Sequence, residues 1–330
     1  MRSNKKIICT IGPSSFKTSV IKNLKKLKVN LFRINMSHTS IKDLKKRINF
    51  LKIVGKNKIC IDTEGAQVRN TKILKKKFLK KNSLIKVYND NFTCDSKKIF
   101  LYPKFNLNSI KVNALIHIGF EGLVLKVTKK NNKEDFLQAK VVTSGLIESN
   151  KGVHINTNLE LDALTQKDIE AVKYGLKKGI KNFALSFVNK AEDVLQFRKL
   201  IGKKSFLISK IETRNAVNNL KKICKLSNAI LIDRGDLSRY IALEKIPIVQ
   251  EYIIKNAKKY NTPVYVATNL LETMIFNAKP TRAESHDIYS TLKEGASGLV
   301  LAAETAIGKY PEKCVMYVKK AIDAFEKKVF

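Results

Sequence analysis

Lys210, Glu212, Arg234 and Asp236 are the residues whose types and spacing best suit them to chemistry. Lys210 and Glu212 close an apolar, β-rich run (Phe206–Ile211), and Arg234, Gly235 and Asp236 follow a second one (Ala229–Ile232). The amphipathic segment between the runs carries Ala216, Val217, Leu220 and Ile223 at helical spacing. Apolar runs joined by a helix read as parallel strands buried on both faces, and parallel strands deliver their C-terminal ends to one edge of the sheet. Glu212 and Asp236 can therefore converge beside Lys210. Two carboxylates make a hard oxygen site for a divalent cation such as magnesium, and a neighbouring ammonium complements a transferring phosphoryl group. Taken alone, the same residues read equally well as ordinary charges at strand ends.

The elements that would position them alternate along most of the chain. Strand-like runs at Lys6–Ile11, Asn30–Met36 and Lys58–Ile61 are separated by helical patterns over Thr18–Leu27 and Ile41–Ile53. The pattern breaks between about 70 and 155. That region is rich in Lys and Asn, with short β-like runs (Leu84–Tyr88, Leu123–Val127, Phe136–Val142) and glycine turns. It resumes with a helix over Thr165–Lys177, where Thr165 is the expected N-cap and Gly179 the stop. Strand four is expected at Asn182–Phe187, with a helix over Glu192–Ile201; the two opening runs are strands five and six. Helices over Pro247–Lys259, Thr281–Leu292 and Pro311–Lys327 then flank strands at Pro263–Thr268 and Gly298–Ala302. Eight strand–helix units with one interruption argue for an α/β fold, a TIM (β/α)8 barrel with a small β-rich domain inserted after strand three. The expected division is 1–69 and 156–330 for the barrel and 70–155 for a β-barrel-like lid.

Chemistry in such barrels sits at the C-terminal ends of the strands. Those ends carry Arg33, Asn35, Ser37 and His38 after strand two, Asp62 and Thr63 after strand three, and Ser186 and Phe187 after strand four. Thr268 follows strand seven, and Glu304 and Thr305 follow strand eight. Generic solvated loops favour Gly, Pro and Lys over this mixture.

The 330 residues carry a formal charge of +36, nearly all from lysine, with only nine Arg. Such a charge attracts polyanions. No nucleic-acid-binding motif accompanies it and no aromatics interleave a basic stripe, so a lysine-rich solvent face is the expected reading, with no specific nucleic-acid partner. No apolar run approaches the roughly 18 residues needed to cross a bilayer, and the N-terminus has no signal-peptide pattern. Five scattered cysteines without a CxxC pair point to reduced thiols in a cytoplasm.

The chain resembles pyruvate kinase over nearly its whole length. The matching segments are Lys5–Ser15 (KKIICTIGPSS), Phe32–His38 (FRINMSH), Asp62–Arg69 (DTEGAQVR), Ser209–Thr213 (SKIET), Arg234–Leu237 (RGDL), Val266–Met274 (VATNLLETM), Lys279–Glu284 (KPTRAE) and Ala303–Pro311 (AETAIGKYP). Their order and spacing make the resemblance specific. It implies phosphoryl transfer from phosphoenolpyruvate to ADP, giving pyruvate and ATP in glycolysis. Glu212 and Asp236 would hold magnesium or manganese, Lys210 would neutralise the transferring phosphoryl group, and Arg33 would grip the phosphate. Thr268 would lie where the enolate is protonated, and the Arg234–Gly235–Asp236 backbone would hold the substrate carboxylate. Asn35, Ser37, Asp62 and Thr63 match potassium ligands, and Arg69, His38 and Lys151 match nucleotide contacts. A homodimer through the helices after strands six and seven is also implied.

Several positions depart from the family pattern. Gln67 replaces a Glu tied to potassium dependence, and Glu64 and Ala66 replace Lys and Pro. Phe120–Gly122 (FEG) stands where DDG is usual, and KGVHINTN lacks the family's Pro-Gly. Asp233 precedes RGDL where Ala is usual, and Ala302–Ala303 replace Ser-Gly. The family's C-terminal domain, with its effector sites, is expected to be absent. The alternatives left open are a relative acting on another phosphoenol or 2-oxo acid, and a non-catalytic binding barrel.

Overall fold

The computed structural model describes residues 5–119, 122–157 and 159–327. Phe120 and Glu121 of the FEG turn, and Asn158 at the end of KGVHINTN, lie outside the described residues. The chain forms two compact units, 1–65 with 163–330, and 66–162.

The first unit is a closed barrel of eight parallel strands. These are β1 (Lys6–Thr10), β2 (Leu31–Asn35), β3 (Ile59–Asp62), β4 (Asn182–Leu185), β5 (Phe206–Ile211), β6 (Ala229–Asp233), β7 (Val264–Ala267) and β8 (Gly298–Leu301). They neighbour one another in chain order, and β1 closes the ring on β8 with Lys6 opposite Gly298 and Cys9 opposite Leu301. All eight anticipated strands form. Five end a residue or two before their expected bounds, and for β4 and β7 the reason is shared: Phe187 and Thr268 have φ of 52° and 71°, outside the extended region.

Strand residues alternate between two environments. Ile8, Leu31, Cys60, Ala184, Ile208, Leu231, Tyr265 and Val300 pack together as one cluster inside the barrel. Neighbours such as Ile7, Phe32, Ile61, Phe183, Leu207, Ile230 and Leu299 join the larger core beneath the helices. Because side chains repeat with period two, the residues two steps past the inner apolar layer also face inward at the barrel mouth. Those are Arg33, Asp62, Ser186, Lys210 and Asp233. The barrel is closed tightly at the β1 turn, where a side chain on Gly12 would meet the Ala306 carbonyl oxygen at 2.4 Å.

The amphipathic segment after β5 is two helices, Arg214–Asn218 and Leu220–Leu226. The break falls at Asn219, whose side-chain amide donates to the carbonyls of Asn189 and Asn215. The helix Gln166–Lys177 begins in a capping box, Thr165 accepting from the Asp168 amide and Asp168 from the Thr165 amide.

The second unit holds a seven-stranded, mostly antiparallel sheet and a two-stranded one, 77–79 with 145–147. The larger sheet runs in the order 153–155, 115–118, 123–131, 136–143, 84–88, 98–102, 69–70. Arg69 also bridges to Gly152, so the two ends of that order meet. Alternating residues such as Ile85, Val87, Ile99, Leu101, Leu125 and Val127 build a core of its own.

Candidate active site

Six charged side chains from β2, β3, β5 and β6 and from the residues just after β5 and β6 crowd the barrel mouth. Lys210 is their hub. Its ammonium lies 2.8 Å from Glu212 Oε1, 3.2 Å from Asp233 Oδ2 and 3.6 Å from Asp62 Oδ2, and donates to Ser186 Oγ at 3.2 Å. Arg33 pairs with the same Asp62 oxygen at 3.1 Å, and its Nε donates to Thr10 Oγ1. Asp62 and Glu212 are fully buried, and Arg33, Lys210 and Asp233 nearly so. Asp236 is half-buried and pairs with Arg239 at 3.4 Å. Buried charges cost several kcal/mol each unless paired, so only mutual neutralisation keeps this set folded.

The electrostatics follow from those distances. Burial by itself would push the Lys210 ammonium down, but Asp62, Glu212 and Asp233 outweigh it and hold the group above its ordinary value. Burial pushes Glu212 up to about 8, with Asp233 and Asp236 adding to the shift and Lys210 opposing it. Asp233 is raised by burial yet ends below the ordinary carboxylate value, because Lys210, Arg33 and a hydrogen bond with Thr268 prevail. Lys210 is therefore a permanent cation, and the carboxylates around it are unequal.

Glu212, Asp233 and Asp236 each offer an oxygen, and these oxygens lie within 4.8 Å of one another. Glu212 Oε1 is buried against the Lys210 ammonium. Hard oxygens of this charge fit a divalent cation of the magnesium or manganese kind. The other Glu212 oxygen accepts the Phe187 amide at 2.6 Å. The left-handed backbone at Phe187 accompanies that bond, a strained conformation at a residue with no intrinsic preference for it.

The loops at the mouth are tied to one another. Gly235 N donates to Thr268 Oγ1 at 2.8 Å, and Arg234 reaches the Thr268 carbonyl through Nε and Nη2. Arg234 also pairs with Asp287 at 2.7 Å, so its side chain braces the loops after β6 and β7. After β3, the Asp168 carboxylate accepts the amides of Glu64 and Gly65 at 2.7 and 3.0 Å. Gly65 sits at φ 75°, and a side chain there would meet the Ser186 carbonyl oxygen at 2.7 Å. Glu64 pairs with Lys167 at 2.9 Å.

Asn35 and Asp62 are register partners across β2 and β3. Asn35 Oδ1 accepts the Ser37 amide, and Thr63 Oγ1 accepts the Ser186 amide. His38 is exposed at the end of a 3-10 turn in the barrel unit. Arg69 and Lys151 belong to the β-rich unit, where Arg69 Nη1 donates to the Asn150 carbonyl and Lys151 pairs with Glu148 at 2.6 Å. Asp233 and Asp168 are parts of the site that the sequence does not single out, while Ser186 appears there only among the polar strand ends. The signal for Asp233 was present in the two-residue period Ala229, Leu231, Asp233.

The family model for the pyruvate kinase barrel domain matches residues 2–315. The chain belongs to the pyruvate kinase family. It is 38% identical to the pyruvate kinase of Thermotoga maritima, over all of this chain and 72% of that protein. Identity is 31% to the pyruvate kinases of Sporosarcina psychrophila and Staphylococcus aureus, in each case over 94% of this chain. The chain spans only 55% of the length of these two relatives. Pyruvate kinases are phosphotransferases, and the match takes in residues of both units. Among the described residues no helix is long and apolar enough to cross a membrane.

Proposed function

We propose that this chain is a pyruvate kinase, transferring the phosphoryl group of phosphoenolpyruvate to ADP and protonating the resulting enolate to pyruvate. The observation that carries the reading is the Lys210 ammonium 2.8 Å from Glu212, within a carboxylate cluster that includes Asp236. Arg33 would orient the phosphate from its fixed seat on Asp62 and Thr10. Lys210 would neutralise charge on the transferring group and on the developing enolate in a site already dried by folding. The backbone at Arg234–Asp236 would hold the substrate carboxylate. Gly235 N is bonded to the Thr268 hydroxyl, which couples that seat to the side chain beside the face to be protonated.

Glu212 and Asp236 would hold a magnesium or manganese ion, which when bound supplies Lewis-acid neutralisation of substrate oxygens. Asn35, Ser37, Asp62 and Thr63 would hold potassium, with Gln67 standing where the family's Glu supports that ion. His38, Arg69 and Lys151 would contact ADP or ATP. A cytoplasmic place in glycolysis belongs to the same proposal; all five cysteines are free and buried. A coupled assay is expected to give pyruvate only with phosphoenolpyruvate, ADP and magnesium together, and none after EDTA treatment. Turnover no greater than that of a Glu212→Gln control sinks the reading.

A second copy of the chain is the proposed partner. Leu243, Ile248, Tyr252 and Tyr289 are exposed on or beside the helices Ile246–Lys259 and Arg282–Glu294, an apolar surface that pairing would cover. Sedimentation at twice the 37.4 kDa chain mass is expected, and a single-chain mass at micromolar concentration refutes it.

A further inference from the structure

We infer that His117 and His154 form a two-imidazole chelate in the β-rich unit, taking a transition-metal ion of the zinc, nickel or copper kind. The inference stands apart from the phosphotransfer reading and uses none of the barrel-mouth residues. The chain holds only four histidines. Two of them meet directly across an antiparallel pair, His117 in the strand Leu115–Ile118 opposite His154 in the strand Val153–Ile155. Their neighbours Ile116, Ile118, Val153 and Ile155 are buried, so period two turns both imidazoles to the other face of the sheet, where each is half-buried. The ring centroids lie 6.0 Å apart.

Residues directly opposed on adjacent antiparallel strands are the closest cross-strand pairs. Two imidazoles on one ion, each bound at about 2.0–2.1 Å, have ring centres roughly 5 Å apart, so the observed 6.0 Å is about an ångström from a chelating spacing. Half-buried rings cover that distance by small rotations within their rotamer wells. The backbone beneath them is already fixed on either side of the pair. Gly119 N donates to the Gly152 carbonyl at 2.9 Å, and Asn156 N to the Leu115 carbonyl at 3.2 Å. Once one ring holds the ion, the second therefore binds it as an intramolecular step. Among the described residues no third histidine, cysteine or carboxylate lies close enough to share that ion. Donor type and not charge would then select the metal: imidazole suits zinc, nickel and copper, whereas magnesium, calcium and manganese prefer oxygen. Lys126, opposite Leu115, and Lys151, three residues before His154, add positive charge that further disfavours a loosely held hard cation.

The test is a titration of Cu2+ into the full chain, with excess Mg2+ present to occupy oxygen-only groups, followed by EPR. The unsubstituted protein is expected to bind one copper ion with two equatorial nitrogens. His117→Gln and His154→Gln each leave a single imidazole, so each should bind about tenfold more weakly or worse and show one nitrogen fewer. His286→Gln, on the helix Arg282–Glu294 of the barrel unit, should bind like the parent. A second readout needs no variant: Zn2+ should slow amide hydrogen exchange in the strands Leu115–Ile118 and Val153–Ile155 by bridging them. The inference is overturned if the parent takes up no copper at micromolar concentration, if either His117→Gln or His154→Gln binds like the parent, or if Zn2+ leaves exchange in both strands unchanged.

Discussion

Replacing Lys210 with methionine is expected to lower pyruvate formation by roughly 10²–10³-fold, the usual effect of removing one preorganised charge that acts on a developing anion. Methionine keeps the length and bulk of the side chain and discards the ammonium. The loss should fall on kcat more than on KM if Lys210 acts mainly on the transferring group. A second readout is independent of function. Asp62, Glu212 and Asp233 share that ammonium in a buried site, so its removal should cost about 3–5 kcal/mol of stability. The sign of the pH dependence is fixed as well. Carboxylates stripped of their counter-charge bind protons more readily in the folded state, so the deficit should widen as pH rises. Urea denaturation at two pH values reads it, and a deficit that shrinks with rising pH contradicts the ion-pair account.

Asp62→Ala is the second large effect. It removes the carboxylate that Arg33 Nη1 meets at 3.1 Å and leaves a buried guanidinium with Thr10 as its remaining side-chain partner at Nε. Lys210 keeps Glu212 and Asp233 and suffers less. A loss of about 3–5 kcal/mol is expected, because breaking a buried pair costs more than replacing it whole. The double variant Arg33→Met with Asp62→Ala should therefore recover part of that loss. A double-mutant cycle with no coupling energy would refute the pairing as a stabilising interaction.

Much of this arrangement is legible in the residues, and the reason is physical. Strands buried on both faces leave apolar runs, and eight such runs with helices between them admit few folds. The mouth residues follow from period two once the inner layer is known, and Lys210 and Asp62 are legible already as polar residues that end apolar runs. Asp233 obeys the same rule, although in the sequence it stands out only as a departure from a family pattern. Other features have no local signature. Asp168 holds the Glu64 amide across 104 residues of chain, and its place in a capping box already accounts for an acidic residue there. Phe187 and Thr268 adopt left-handed backbone because surrounding contacts impose it, against what an aromatic and a β-branched residue prefer. Strain of this kind is tertiary in origin and invisible to pattern.

The pairing of β1 with β8 bears on how the protein is made. Cys9 lies opposite Leu301, and Thr305 donates its hydroxyl hydrogen to the Thr10 carbonyl oxygen. During synthesis the first strand must wait for the last, roughly 15–60 s at ordinary translation rates. The β-rich unit draws its partners from fewer than a hundred consecutive residues and can finish early. A nascent chain would thus leave the ribosome with one part settled and an open sheet edge beside it, the state in which chaperone capture or aggregation decides the yield.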